Sequence, residues 1–184
     1  MSTSTLRWRA TLVTFTAIII GGVILVVLLA AGLADPPRAG PLRWQAESPQ
    51  DWTAEHADPD LTLYAAPVDL PPVFTLELTA ANSGPPESAW GVVFEGSGQR
   101  LTILIDNQGY VSVSSDNRPH WAEFLHSHPK QINKLYVNVA SGGVATLRLN
   151  DEVAWEGVID ATHWSVAEYR QSAVHWGHMM LYYE

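Results

Sequence analysis

The chain has 184 residues, a formal net charge of −9 and no cysteine. This length suits one domain with an anchor and leaves little room for a second hydrophobic core. Two of the ten basic residues, Arg7 and Arg9, precede a long apolar segment, whereas all 19 acidic residues follow it. Residues 34–184 therefore carry 8 positive and 19 negative charges, a net of −11, which argues against a nucleic acid as partner. The lack of cysteine excludes disulfides and thiol chemistry.

An uncharged segment, residues 11–33, follows the two N-terminal arginines. As a helix it would extend about 35 Å, enough to cross a hydrocarbon core of about 30 Å with some tilt. We therefore predict a single transmembrane helix surrounded by bilayer lipid. The positive-inside rule places residues 1–10 in the cytoplasm. The remainder of the chain would then lie outside the cytoplasmic (inner) membrane, in the periplasm or the extracellular space.

The same uncharged segment could also be interpreted as a signal peptide. The alternative to an anchor is a cleaved signal peptide that ends at the small residues Gly32-Leu33-Ala34. The apolar core of a signal peptide is about 7–15 residues, which is shorter than this segment, so the anchor is favoured.

Ala17 and Gly21 are four residues apart, a spacing that allows another helix to approach closely. These two residues are the candidate helix-packing positions.

Residues 34–60 separate the predicted helix from the rest of the chain. Three prolines within residues 34–41 fix φ and remove hydrogen-bond donors, so this part is expected to be an extended, semi-stiff linker. The polar stretch 45–60 is expected to wrap around the edge of the following domain. Trp44 and Trp52 are its candidate packing anchors.

Residues 61–184 alternate between apolar and polar side chains, which predicts half-buried β-strands. The alternating stretches are 73–79, 101–106, 110–114, 134–139 and 145–149. Turn-forming residues separate them, and Asn150-Asp151 is typical of a two-residue hairpin. Only 160–171 could hold a short helix, and 174–183 is expected to close a sheet. Eight or more short strands predict an antiparallel two-sheet sandwich, although periodicity does not distinguish a jelly roll from an immunoglobulin-like topology.

Three passages carry a resemblance to a known superfamily. They are the strands at 74–78 and 90–94 with the turn at 82–84, the hairpin at 100–113, and the run 133–139 followed by Gly142-Gly143 and 145–153. Over about residues 61–184 this pattern resembles the concanavalin A-like lectin/glucanase superfamily, including its laminin-G-like and 3-keto-disaccharide-hydrolase-like members. The resemblance implies a jelly roll. The predicted fold is thus an all-β antiparallel jelly-roll sandwich preceded by a single transmembrane α-helix.

Members of this superfamily include sugar-binding modules, glycosidases and interaction domains. The glucanase branch places acidic residues on one strand in the pattern Glu-x-Asp-x-x-Glu, which no strand of this chain contains. A glycosidase needs two carboxylates about 5–10 Å apart. Glu77 and Glu95 could provide them only if their strands are adjacent and share a face. We therefore expect a domain that is not an enzyme and needs no cofactor.

Aromatic residues provide the candidate contact sites. Exposed tryptophans present flat surfaces for sugar rings, or anchors at protein interfaces. Trp121, beside His120 and a polar run, is the best candidate for an exposed ring. Trp164, which follows a histidine, is the second. The candidate ligand or partner contacts are Trp121, His120, Trp164 and Tyr110.

Histidines raise the question of a metal. His126 and His128 would present two imidazoles on one face of a strand, a spacing suitable for zinc. Pro129 places this pair near a loop, so the alternative is that both are loop histidines. No metal is expected, and this pair is the weak candidate site.

We expect a non-catalytic binding or assembly module outside the membrane, serving as an accessory subunit of a larger membrane complex. Its partners would be the lipid bilayer and the other proteins of that complex. The alternative is a membrane-tethered glycan-binding module, and a sugar-active hydrolase is third. Sugar binding should require an exposed tryptophan or tyrosine beside convergent polar groups in a concave site. Assembly should instead use a larger, flat apolar patch.

Overall fold

The computed structural model describes residues 3–30, 36–116, 118–125 and 127–184, without the side chains of 3–13, 28–30 and 58. The chain divides into two units, Met1–Pro37 and Arg38–Glu184. The first contains helix α1, Thr3–Ala30. Within the part of the chain that the structure describes, no helix is long and apolar enough to cross a membrane. The predicted span, 11–33, continues past the described side chains at both ends.

The candidate helix-packing residues lie inside α1. Ala17 and Gly21 are both exposed, and both fall in the range 14–27 where side chains are described. Small residues four apart share one face of the helix. A partner helix at this face stays a prediction.

The second unit is an antiparallel β-sandwich. Its strands are β1 (Leu42–Ala46), β2 (Thr53–Asp58), β3 (Leu61–Ala65), β4 (Phe74–Asn82), β5 (Ala89–Gly96), β6 (Gln99–Asp106), β7 (Tyr110–Ser114), β8 (Trp121–Glu123), β9 (Asn133–Val139), β10 (Val144–Leu149), β11 (Glu152–Val158), β12 (His163–Tyr169) and β13 (Val174–Tyr182). One sheet has the order β1-β13-β4-β9-β10-β11 and the other β2-β3-β12-β5-β6-β7-β8. The predicted all-β antiparallel sandwich is confirmed.

The main hydrophobic core lies between the two sheets. Alternate residues of each strand point into it, as in Leu76 and Leu78 of β4 and in Val92 and Phe94 of β5, and all four are buried. A strand places successive side chains on opposite faces, so the two-residue period in the sequence becomes one apolar face per strand. Burying a side chain of this size stabilises the fold by about 1.5–3 kcal/mol.

The expectation of a short helix within 160–171 is wrong. These residues contain β12, which pairs with β3 on one side and with β5 on the other. Trp164 and Val166 point to the main core, whereas Ala167 belongs to a second buried cluster. Because both faces of this strand are buried, the sequence lacks the alternation that marks a half-exposed strand.

Two edge strands lie within residues 34–60. β1 pairs with β13 at one edge of the six-stranded sheet, and β2 pairs with β3 at one edge of the seven-stranded sheet. The Trp44 ring lies 5.7 Å from that of Trp52, and the two rings lie 5.6 and 5.7 Å from that of Trp164. These three tryptophans form one cluster that joins the edge strands to the core.

Candidate functional site

A pocket of about 380 Å³ lies where the ends of several strands of the seven-stranded sheet meet. It contains two of the predicted contact residues, Tyr110 and Trp121, which are 37% and 38% exposed. The complete lining is Glu87, Asp106, Gln108, Tyr110, Trp121 and Arg170. Two rings with exposed area therefore stand beside two carboxylates, an amide and a guanidinium.

Strand pairing brings these residues together. Ala89, the first residue of β5, lies opposite Asp106 at the end of β6 and opposite Tyr169 at the end of β12. The loop before β5 therefore supplies Glu87, and the residue after β12 supplies Arg170. Four of the six lining residues were missed by the sequence analysis, because they are isolated polar residues that meet only through this register.

The turn between β6 and β7 is held by a carboxylate. Oδ1 of Asp106 accepts hydrogen bonds from the backbone N–H groups of Gln108 and Tyr110, each at 2.8 Å. Gly109 between them has a φ of +98°, a conformation that side-chain-bearing residues rarely adopt. Among the described residues, Oδ2 of Asp106 has no hydrogen-bond partner. This second oxygen is available to accept hydrogen bonds from a ligand.

Trp121 begins the short edge strand β8 and lies opposite Ser112 of β7. Its ring centroid is 6.4 Å from that of Tyr169, at an interplanar angle of 58°. The backbone N–H of His120 donates to Ser112 Oγ at 2.8 Å. This hydrogen bond and the strand pairing fix the backbone on both sides of the tryptophan.

His120 itself does not line the pocket. Its Nε2 lies 3.1 Å from Oδ2 of Asp116, and both side chains are exposed. The hydrogen bond with His120 lowers the pKa of Asp116, and the backbone N–H of Arg118 adds to the effect. His120 therefore lies outside the pocket that contains Trp121, and its role as a contact residue stays a prediction.

Arg170 closes the other side of the pocket. Its Nε donates to Asp60 Oδ2 at 3.1 Å, its backbone N–H donates to the Asp60 carbonyl at 2.8 Å, and its guanidinium lies 5.1 Å from the Tyr169 ring centroid. The hydrogen bond to Asp60 raises the pKa of Arg170, so the guanidinium stays charged. These contacts fix the position of the positive charge.

The expectation that Trp164 is exposed is wrong. Its side chain is 2% exposed between the sheets, and its Nε1 donates to the Val68 carbonyl at 3.1 Å. A histidine neighbour in the sequence suggested a polar setting. In a strand, however, His163 points to the opposite face. Trp164 is a core residue in this structure.

The two candidate catalytic acids do not meet. Glu77 lies on β4 of the six-stranded sheet, whereas Glu95 lies on β5 of the other sheet. Each forms an ion pair with an arginine: Glu77 Oε1 lies 2.6 Å from Arg38 Nε, and Glu95 Oε1 lies 2.5 Å from Arg100. The condition set for a two-carboxylate site, adjacent strands with a shared face, is not met by this pair.

The candidate zinc ligands are only partly described. His126 lies outside the described residues. His128 is exposed, and its backbone N–H donates to Asn133 Oδ1 at 2.7 Å. In the described ranges, no three His, Asp or Glu side chains are close enough together to hold a metal ion. The zinc pair stays a prediction.

A larger pocket, of about 470 Å³, lies at the edge of the sandwich. It is lined by Ser48, Pro49, Gln50, Tyr64, Glu168, Val174, His175 and Trp176. Glu168 accepts hydrogen bonds from Trp176 Nε1 at 3.2 Å and from the Tyr64 hydroxyl at 3.4 Å. Burial and the charge of Glu168 raise the pKa of Tyr64. The donors of Tyr64 and Trp176 therefore already have a partner in Glu168.

Among known proteins, similarity to this chain is found in solved structures that share its fold. No protein-family model matches the chain, and no curated protein matches it. The carbohydrate binding module CBM66 from Bacillus subtilis is 9% identical, with 79% of this chain and 99% of that chain covered and a TM-score of 0.52. The metal-free carbohydrate recognition domain of Emp46p is also 9% identical, with coverage of 76% and 87% and a TM-score of 0.52. An alginate lyase from Pseudomonas aeruginosa is 13% identical, with coverage of 72% and 81% and a TM-score of 0.50.

These structures share a two-sheet jelly roll with this chain. At such low identity the likeness shows the fold alone. The resemblance found in the sequence is confirmed at that level, and the second unit has the concanavalin A-like fold.

Proposed function

We propose that this concanavalin A-like domain is a non-catalytic glycan-binding module whose ligand binds in the pocket between Tyr110 and Trp121. The observation that carries the proposal is the pair of exposed rings beside fixed polar groups. A sugar ring has an apolar face that can stack on an aromatic ring, and hydroxyls that need hydrogen-bond partners. The Tyr110–Trp121 pocket offers both kinds of contact.

Each polar group of the pocket has a role in this proposal. Oδ2 of Asp106 and the carboxylate of Glu87 accept hydrogen bonds from hydroxyls, whereas Gln108 can both donate and accept. Arg170 donates from the opposite wall. A hydrogen bond to a charged group contributes about 1.5–3 kcal/mol at most, so a small site of this kind predicts affinities of about 1 mM to 1 µM.

Two further observations support the class of function. The module from Bacillus subtilis and the Emp46p domain are both named for carbohydrate, and they share this fold. The alginate lyase also shares it, so the fold is compatible with an enzyme as well. Two observations favour binding without cleavage. Glu77 and Glu95 lie on separate sheets, each paired with an arginine. Of the two carboxylates in the pocket itself, Asp106 accepts two backbone hydrogen bonds that hold the turn between β6 and β7.

The test is calorimetric titration of the detergent-solubilised full chain with glycans selected on an array. Trp121→Ala and Tyr110→Ala should each weaken binding at least about tenfold, because each removes a stacking surface. Val158→Ala is the control, since this side chain is exposed on the other sheet. Unchanged affinity in both aromatic variants would refute the site. Release of shorter sugars during the titration would refute the non-catalytic assignment.

We also propose that residues 11–33 anchor the domain to the cytoplasmic membrane, with the N-terminus inside. The uncharged sequence of this segment and the preceding Arg7 and Arg9 support this placement. Alkaline carbonate should leave the chain in the membrane pellet, and protease added to spheroplasts should digest residues 34–184. Release of the chain by carbonate would refute the anchor, and protection of the domain would refute the orientation.

An exposed apolar strand edge favours assembly as a second candidate function. Val144 and Val158 lie opposite each other on β10 and β11 and are 59% and 66% exposed. β11 ends the six-stranded sheet, so one side of its backbone is available to another strand. Gentle detergent extraction followed by mass spectrometry should recover a stoichiometric membrane partner, which Val158→Lys should release. A chain that is recovered alone would argue against assembly.

A further inference from the structure

A second pocket lies next to the Tyr110–Trp121 pocket. Its volume is about 430 Å³, and it is lined by Pro59, Asp60, Pro85, Glu87, Arg170 and Gln171. Glu87 and Arg170 line both pockets, so the two are neighbours that share a wall. Together they form what we call the two-pocket groove. Each pocket has the size of a typical small-ligand site.

The shared wall is held in place by contacts with Asp60. Arg170 is fixed to Asp60 through its side chain at 3.1 Å and its backbone at 2.8 Å. Arg170 and Gln171 have φ values of +51° and +48°, so the chain turns sharply after β12. After this turn Arg170 lines both pockets, whereas Gln171 lines only the second. A ligand in the groove would therefore pass over a fixed guanidinium.

The charge of the groove restricts the ligand. Its lining contains three carboxylates, those of Asp60, Glu87 and Asp106, and a single cation, Arg170, which is paired with Asp60. The net charge of the lining is thus −2. The surrounding sequence, residues 34–184, has a net charge of −11. A polyanion meets repulsion both at a distance and inside the groove.

We propose that the two-pocket groove binds a glycan of at least two sugar units that is neutral or carries amines, and that it discriminates against uronate and sulfated glycans. This inference rests on the proposed function and specifies its ligand class. One sugar stacks between Tyr110 and Trp121, and the next lies beside Gln171 across Arg170. A protonated amine is favoured by Glu87 and Asp106, whereas a uronate carboxylate faces both.

The test uses three oligosaccharide series titrated into the detergent-solubilised full chain. The probes are glucosamine oligomers, their N-acetylated neutral counterparts and galacturonate oligomers, each from one to four units. Affinity for the first two series should rise at least about tenfold from one unit to two or three and then level off. Galacturonates should bind at least about tenfold more weakly than neutral oligomers of equal length. Added salt should narrow this gap, because it screens the repulsion.

Two variants separate charge from length. Glu87→Gln should reduce the preference for amines over neutral oligomers about threefold or more, with Glu156→Gln as the control for the same charge change on the exposed face of β11. Gln171→Ala should reduce the gain from one unit to three, with the exposed Gln131→Ala as its control. Neither variant removes an aromatic stacking surface.

The charge selection and the second subsite are tested by separate results. Galacturonates that bind as tightly as neutral oligomers would overturn the charge selection, and single sugars that bind as tightly as trimers would overturn the second subsite. In both cases the proposed glycan-binding function would stand. If no member of any series bound, and an array of other glycans also gave no ligand, both the function and this inference would fail.

Discussion

Trp164 provides the sharpest test of the packing described above. Its indole is 2% exposed, contacts the rings of Trp44 and Trp52, and donates a hydrogen bond to the Val68 carbonyl. Trp164→Ala removes the ring and leaves a cavity, which costs about 3–5 kcal/mol. The Val68 carbonyl also loses its partner, at about 1–3 kcal/mol. Because the cavity can admit water to this carbonyl, we expect a loss of about 4–6 kcal/mol in total.

Thermal unfolding measures this loss. For a domain of about 150 residues, 4–6 kcal/mol corresponds to a fall in Tm of roughly 8–24 °C. Hydrogen exchange should also accelerate in β1 and β2, because Trp164 joins their tryptophans to the core. The matched control is Trp121→Ala, which removes a ring that is 38% exposed and should cost about 1–2 kcal/mol, clearly less than Trp164→Ala. If Trp164→Ala were as stable as this control, the core assignment would be wrong.

Three further predictions concern a glycine, an ion pair and a tyrosine. Gly91→Ala would place its Cβ on the carbonyl oxygen of Ile103, so it should separate β5 from β6. We expect the variant to be less stable than wild type by at least about 3 kcal/mol. A Tm near that of wild type would contradict this prediction. Arg38→Gln leaves the buried Glu77 carboxylate without its ion pair and should lower the free energy of unfolding in urea by about 2–4 kcal/mol. Adding Glu77→Gln should recover part of this loss. If the double variant recovered nothing, the pairing would be contradicted. Burial and a neighbouring carboxylate raise the pKa of Tyr64, so the stability that its neutral form provides is complete below the ordinary tyrosine pKa of about 10 and is lost as the pH rises above it. Tyr64→Phe should reduce this alkaline loss, which is measured as Tm against pH. An unchanged profile would refute the assignment.

Strands with alternating apolar and polar residues were the most predictable part of the fold. The alternating stretch 110–114 coincides with β7, and the stretches 101–106 and 134–139 fall within one or two residues of β6 and β9. Such strands can be recognised because mostly apolar side chains face the main core and mostly polar side chains lie on the opposite face, which gives the sequence a two-residue period. The alternating pattern does not identify which strands pair with each other, so the order of strands in each sheet is known only from the structure.

β12, which has apolar residues on both faces, was not predictable in this way. β12 contains apolar residues on both sides because it lies between β3 and β5 under a second apolar cluster. The same position explains the misjudged exposure of Trp164, since a polar sequence neighbour says nothing about the opposite face of a strand. Glu77 shows the reverse effect. It occupies a polar position in an alternating strand, yet it is 2% exposed beside Arg38.

The candidate site was predictable only in its aromatic half. Tyr110 and Trp121 could be proposed because aromatic rings near polar residues are common contact residues for sugars and protein partners. The polar half is supplied by Glu87, Asp106 and Arg170, which are far apart in the sequence and resemble ordinary turn residues. They meet because Ala89 is in register with the ends of both β6 and β12. A shift of one residue in either pairing would move these side chains to the other face of the sheet.

The site therefore depends on the register of β5 more than on any one of its contacts. Gly91 lies two residues from Ala89 and is opposite Leu104 of β6 and Ala167 of β12. It permits the close approach of β6 that holds this register, because any side chain there would meet the neighbouring backbone. A bulky residue at this position should abolish glycan binding even in protein that remains folded. Loss of the ion pair at Arg38, on the other sheet, should lower stability and leave the affinity of the folded protein unchanged. The two variants thus distinguish residues that shape the groove from residues that only stabilise the sandwich.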